Sequence, residues 1–85
     1  MSHYGWVVTV RYFAAARAAA GVAEETCAAP TLALLRTTLG AARGPQLEKV
    51  LSMASFLVDG LSWRDLDAPL PAGATVDVLP PFAGG

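Results

Sequence analysis

The sequence predicts an α+β domain: a mixed sheet wrapped on one main helix, with an extended tail after the last strand. Three observations predict it. Alternating runs of β-branched and aromatic residues stand near both ends, at residues 6–13 and 75–79. A single apolar stripe at helical spacing lies between them, and no βαβ repeat connects the strands. The chain has 85 residues and no internal repeat or linker. Residues 1–79 are therefore expected to form one domain around one modest core, with residues 80–85 as the tail.

Residues 6–13, WVVTVRYF, place Val8, Val10 and Tyr12 on one face and Val7, Thr9, Arg11 and Phe13 on the other, which predicts the first strand. The alanine-rich run before Gly21 has helix propensity but barely two turns of length, so it is expected as a turn or short helical loop. Residues 22–28 alternate more weakly, Ala23, Glu25 and Cys27 against Glu24 and Thr26, as suits a short edge strand. Thr31 precedes Leu32, Leu35, Leu39 and Ala42, whose spacing draws one apolar stripe down a principal helix with the threonine as its N-cap. Gly40 is either tolerated inside that helix or caps its end, and Gly44-Pro45 breaks the chain. Leu47, Val50 and Leu51 suggest one more short helical turn. Residues 55–58 read as a strand. Asp59-Gly60 reads as a tight hairpin turn, whose central positions take positive φ, with residues 61–63 returning. Pro69, Pro71 and Gly73 punctuate a loop, after which residues 75–79 alternate again and run into Pro80-Pro81.

Apolar residues make up 54% of the chain and charged residues 15%. That is more apolar surface than so small a domain can bury, so part of it is expected to meet a partner. The formal net charge is −1, and Arg11, Arg17, Arg36, Arg43, Lys49 and Arg64 are scattered. The basic stripe of a nucleic-acid binder is missing, and no nucleic-acid partner is expected. No apolar run is long enough to cross a bilayer, and the first residues lack the pattern of a secretory signal, so the expected place is the cytoplasm, off the membrane. A lone cysteine, Cys27, makes no internal disulfide, and with His3 as the only histidine no metal cluster is expected.

The terminus carries the functional signal. Gly84-Gly85 follows Leu79-Pro80-Pro81-Phe82-Ala83. Glycine puts no side chain against the walls of a narrow channel, and proline resists collapse onto the domain. Extended, residues 80–85 reach about 20 Å, far enough to enter a partner's active site. A terminal carboxylate is ionised at neutral pH and is a poor acyl donor. Conversion to an acyl-adenylate supplies a leaving group; attack by sulfur then gives a thiocarboxylate, and attack by an amine gives an amide. The chain has no GxxxxGK[ST] phosphate cradle, so activation is expected from an ATP-using enzyme in trans, with no cofactor bound here.

The patterns VTVRYFAAAR, PTLALLRTTL, FLVDG and above all PPFAGG resemble the small, sulfur-carrying subunit of molybdopterin synthase, the MoaD-type branch of the MoaD/ThiS ubiquitin-like β-grasp family. The resemblance spans nearly the whole chain. It implies that an E1-like adenylating enzyme activates Gly85 and that a sulfur donor enzyme converts it to the thiocarboxylate. The tail then enters the large subunit of molybdopterin synthase, and sulfur passes to cyclic pyranopterin monophosphate in molybdenum cofactor biosynthesis. By the same resemblance Gly84 keeps the channel clear and Pro80, Pro81, Phe82 and Ala83 line the insertion. The resemblance also implies that Phe13 and Leu79 face the large subunit; Arg17, read from the residue alone, is either a partner for an acidic site or a solvated loop charge. The chain departs from the family at Phe82, where a small aliphatic residue is usual. It also departs at Gly73-Ala74 in place of Gly-Asp, at Asp59 in place of asparagine, and in a longer segment over residues 63–67.

Other readings of the same residues stay open. A thiocarboxylate could serve thiamine or cysteine synthesis, and a ubiquitin-like modifier would join Gly85 to lysine amines. A docking domain would carry the diglycine incidentally. Cys27 reads as a small buried hydrophobe rather than a persulfide relay, and Trp6, Tyr12 and Phe56 as core or rim packing. Phe13 and Phe82 have no evident internal home, which makes them candidate interface anchors.

Overall fold

The computed structural model describes residues 7–81. In chain order the elements are β1 (Val7–Tyr12), α1 (Ala15–Ala20), β2 (Glu24–Ala28), α2 (Leu32–Arg43), α3 (Pro45–Met53), β3 (Ser55–Val58), β4 (Leu61–Ser62) and β5 (Thr75–Leu79). The five strands form one mixed sheet in the order β2-β1-β5-β3-β4. β5 is central: it runs parallel to β1, with Arg11 opposite Asp77, and antiparallel to β3, with Phe56 opposite Val78.

The period-2 pattern decides which face is covered. Val8, Val10 and Tyr12 of β1, Phe56 and Val58 of β3, and Val76 and Val78 of β5 are buried in one cluster. Leu32, Leu35 and Leu39 of α2 and Leu47 and Leu51 of α3 complete it. Burying side chains of this size stabilises the fold by roughly 1.5–3 kcal/mol each relative to exposure. The alternate residues of β1 point to the uncovered face, where Arg11 is exposed.

Thr31 caps α2 as expected, its Oγ1 accepting from the Leu34 N–H at 3.2 Å. Asp59 and Gly60 turn the β3–β4 hairpin with φ of 51° and 83°. Asp59 also ties that turn to the start of β5: its Oδ1 accepts from Thr75 N–H at 2.9 Å, and its own N–H donates to the Thr75 carbonyl at 2.8 Å.

The structure differs from expectation in several places. The alanine run is a six-residue helix, because Ala16 and Ala20 are buried and Gly21, in the left-handed region, closes it with an N–H bond to the Arg17 carbonyl. β2 starts at Glu24, two residues later than expected. The helical turn after Gly44-Pro45 is a nine-residue helix, with Pro45 at its first turn and Leu47 and Leu51 buried, so the sheet wraps two helices. Gly40 lies inside α2 at the crossing with α3, where an added Cβ would stand 3.2 Å from Glu48 Cβ. Ala42 is exposed, since the chain turns at Gly44 and α3 packs on the Gly40 side. Finally, the returning strand stops at Ser62, although Trp63 N–H still donates to the Phe56 carbonyl at 3.0 Å while its ring packs on the core.

The departures over residues 63–74 have local explanations. Asp65 Oδ1 accepts from the N–H groups of Asp67 and Ala68, closing a turn, and the Leu66 carbonyl accepts from Ala33 N–H at 2.9 Å. The longer segment is thereby fastened to the start of α2. Ala74 is buried and its carbonyl accepts from Thr9 N–H at 2.9 Å, an environment that does not suit an acidic side chain.

Candidate functional site

β1 and β5 are parallel neighbours, so both finish at the same end of the sheet. At that end Phe13, Ala14, Leu79 and Pro80 line an apolar hollow of about 370 Å³. Phe13 is 40% exposed, large for an aromatic residue with no polar atom. Leu79 and Pro80 are half-buried and Pro81 is exposed. Arg17 of α1 is exposed and lines a neighbouring hollow that also includes Phe13. The structure thus brings Phe13, Leu79 and Pro80 together and sets Arg17 beside them. Phe82, Ala83, Gly84 and Gly85, like His3 and Trp6, lie outside the described residues.

The backbone of Phe13 is fixed at both ends. Its N–H donates to the Val78 carbonyl at 3.3 Å and its carbonyl accepts from Ala16 N–H at 3.0 Å. The next residue, Ala14, has φ 51° and ψ −125°. An L-residue held there costs roughly 1–3 kcal/mol, and such strain persists only where the surroundings enforce it.

Two polar groupings near this end escaped the sequence reading. Asp77, in the middle of β5, is 7% exposed, and both its oxygens are held by Arg11, Nε to Oδ1 at 2.6 Å and Nη2 to Oδ2 at 2.9 Å. The Arg11 guanidinium carbon also lies 5.7 Å from the centre of the Phe13 ring. A signal did exist: Val10-Arg11-Tyr12 and Val76-Asp77-Val78 each carry one charge of opposite sign inside an apolar strand. The second grouping joins β1, β2 and α2. Tyr12 Oη donates to Glu25 Oε2 at 2.5 Å, and Arg43 Nε and Nη2 donate to the two Glu25 oxygens at 2.8 Å each. Hydrogen bonding from Arg43 holds the Glu25 carboxyl below its ordinary value against the opposing effect of partial burial, and Tyr12 adds to the lowering. Burial first, then the bond to Glu25, pushes the Tyr12 hydroxyl well above its ordinary value, so it stays a donor. Burial likewise pushes up the Cys27 thiol, which disfavours the reactive thiolate.

Among the described residues no cluster of three or more His, Cys, Asp or Glu side chains could hold a metal ion. No described helix is long and apolar enough to cross a membrane.

Comparison with known proteins places these features in context. The chain matches the model of the ThiS family over residues 10–85. A solved structure described as molybdopterin converting factor, subunit 1, from Pyrococcus furiosus superimposes with a TM-score of 0.72 at 27% identity, covering 89% of this chain and 98% of that one. A complex of subunits 1 and 2 of the molybdopterin-converting factor from Helicobacter pylori contains a chain that aligns at 25% identity, with a TM-score of 0.69 and coverage of 93% and 99%. Small archaeal modifier protein 1 from Methanosarcina acetivorans shares the fold, with a TM-score of 0.80 at 23% identity over 93% of this chain and 96% of its own. Comparison with curated protein sequences returned no match.

Proposed function

We propose, from the premise that this chain belongs to the ThiS family of ubiquitin-like sulfur carriers, that it is the sulfur-carrying small subunit of a molybdopterin synthase. Its fold is the ubiquitin-like β-grasp, a mixed five-stranded sheet on helices. In this reading an adenylating enzyme joins the Gly85 carboxylate to the AMP portion of ATP with release of pyrophosphate. Sulfide-level sulfur from a donor enzyme then attacks the adenylate carbonyl and displaces AMP, leaving the thiocarboxylate. The thiocarboxylate enters the large subunit and its sulfur bonds to cyclic pyranopterin monophosphate; water then cleaves the acyl–sulfur bond and restores the carboxylate, and a second thiocarboxylated chain supplies the second sulfur of the dithiolene. These steps belong to the cytoplasm and involve neither nucleic acid nor a membrane.

What this chain contributes is presentation. A carrier that must visit an activating enzyme, a donor and an acceptor needs a docking face beside a slender acyl arm, rather than catalytic groups of its own. The half-exposed Phe13 and the Leu79–Pro80 step supply an apolar anchor where β5 hands over to the residues before Gly85. The observation that carries the choice of pathway is the pair of neighbours at 27% and 25% identity described as molybdopterin converting factor subunits, one of them in complex with its subunit 2. The ThiS family match leaves thiamine synthesis as a second reading of the same carrier chemistry.

The test is reconstitution. Thiocarboxylated chain mixed with a molybdopterin synthase large subunit should convert cyclic pyranopterin monophosphate to the dithiolene product and return to the carboxylate form. Sulfur transfer to a thiazole or cysteine precursor instead, with none to the pterin, overturns the synthase assignment. A lysine-linked Gly-Gly remnant in digests of cell protein would move the chain to the modifiers. Gly84→Ala is expected to leave the melting temperature unchanged while slowing adenylation or transfer at least tenfold, because a methyl group enters a channel shaped for glycine, a penalty of about 1.4 kcal/mol or more. Normal transfer by that variant contradicts the narrow-channel idea.

A further inference from the structure

We propose that Arg11, gripped by Asp77, is a positioning residue that holds the Phe13 ring in place as the wall of the hollow at the root of the acyl arm. The proposal rests on the carrier reading for its purpose, although not for its geometry. Arg11 and Asp77 face each other across the parallel β1–β5 pair, and the arginine fork closes on both carboxylate oxygens, at 2.6 and 2.9 Å. Asp77 is nearly sealed, so the clamp is anchored in the centre of the sheet, while the Arg11 side chain keeps 48% of its surface open. Its guanidinium reaches Phe13, two residues further on the same face, at 5.7 Å from the ring centre. That distance is within the range where a cation is attracted to an aromatic ring.

From the other side the backbone leaves Phe13 little freedom. Its N–H and carbonyl are both bonded, and Ala14 is held at a positive φ that an alanine resists. The backbone thus fixes where the Phe13 side chain starts, and Arg11 acts on where its ring ends. An apolar ring left without such support on an open face would sample several rotamers, and a docking partner would have to select one of them. Ordering a side chain before binding removes that cost from association. Arg11 therefore acts through Phe13, and its effect belongs to recognition of the partner rather than to chemistry at Gly85.

Two measurements decide it. In the free chain, the Phe13 ring carbons and protons, observed by NMR with selective phenylalanine labelling, should show one ordered environment. Arg11→Met should broaden or shift them, and Arg11→Lys, which keeps the cation, should recover part of the ordered signal. Unchanged Phe13 signals in Arg11→Met overturn the positioning role, whatever the function of the protein. With the adenylating enzyme and ATP, pyrophosphate release measured against carrier concentration should give a KM raised roughly three- to tenfold by Arg11→Met with kcat unchanged. In a Phe13→Leu background the same substitution should change KM by less than about twofold, because the two residues act as one unit. Additive effects in that cycle, or a loss confined to kcat, overturn the proposal. A wild-type chain that is never adenylated removes the carrier reading, and the ring signals alone then decide whether Arg11 positions Phe13.

Discussion

Tyr12 is a core side chain with a polar end, and the partner of that end sets part of the acid stability of the protein. Its hydroxyl donates to Glu25, which also takes two bonds from Arg43. Glu25 binds its proton less tightly in the fold than in the unfolded chain, since its value is lowered chiefly by Arg43. Its contribution is therefore complete above the ordinary carboxylate value of about 4.3 and is lost as pH falls through the lowered folded value. Glu25→Gln should cost about 1 kcal/mol at neutral pH, once screening by solvent on the open side is allowed for. The gap between the two proteins in urea titrations should begin to narrow as pH falls below about 4.3 and close below the lowered folded value; a gap that persists to the acid end of the titration would mean that the loss lies in packing and not in charge. Ala14 tests strain at the same scale. Ala14→Gly should raise stability by about 1 kcal/mol, because relief of the positive φ exceeds the extra entropy glycine adds to the unfolded chain. An unchanged or lower urea midpoint would show that the turn is not strained. Single charges such as Arg11 and Asp77 were legible as identities but not as a pair, since nothing local says that residues 66 positions apart become neighbours.

At the scale of elements, legibility followed the strength of the local pattern. β1 and β5 carry clean alternation in β-branched residues, and α2 announces itself with a threonine cap and three leucines on one face. α1 is six residues long and has no side-chain cap, so its helical state depends on burying Ala16 and Ala20 and on Gly21 closing the end. α3 buries only Leu47 and Leu51, too sparse a stripe to show its full nine residues. The covered face of β1 is the firmest of these assignments: Val8, Val10 and Tyr12 are at most 2% exposed. Val10→Ala should therefore destabilise the domain by roughly 1–3 kcal/mol through lost burial and a residual cavity. Equal melting of the variant and the wild type would mean that β1 turns its other face to the helices.

For the whole molecule, what the sequence could not convey is adjacency. The hollow lined by Phe13, Ala14, Leu79 and Pro80 exists because the first strand and the last lie side by side and finish at one end. Strand propensity speaks for each strand alone and says nothing of which strands pair. Family resemblance implied a β-grasp fold with a mixed sheet, and the structure has that fold; the strand order β2-β1-β5-β3-β4 is what the structure adds. In the proposed function the helices and the covered face make a stable body, the strand ends offer a surface for partners, and the acyl chemistry falls to Gly85. The most direct test of that division of labour is mass spectrometry of the intact chain after co-expression with its adenylating enzyme and sulfur donor. A carrier gives a species with one oxygen at Gly85 replaced by sulfur, absent from a variant lacking Gly84-Gly85. A chain that keeps its carboxylate unmodified beside active partners contradicts the account.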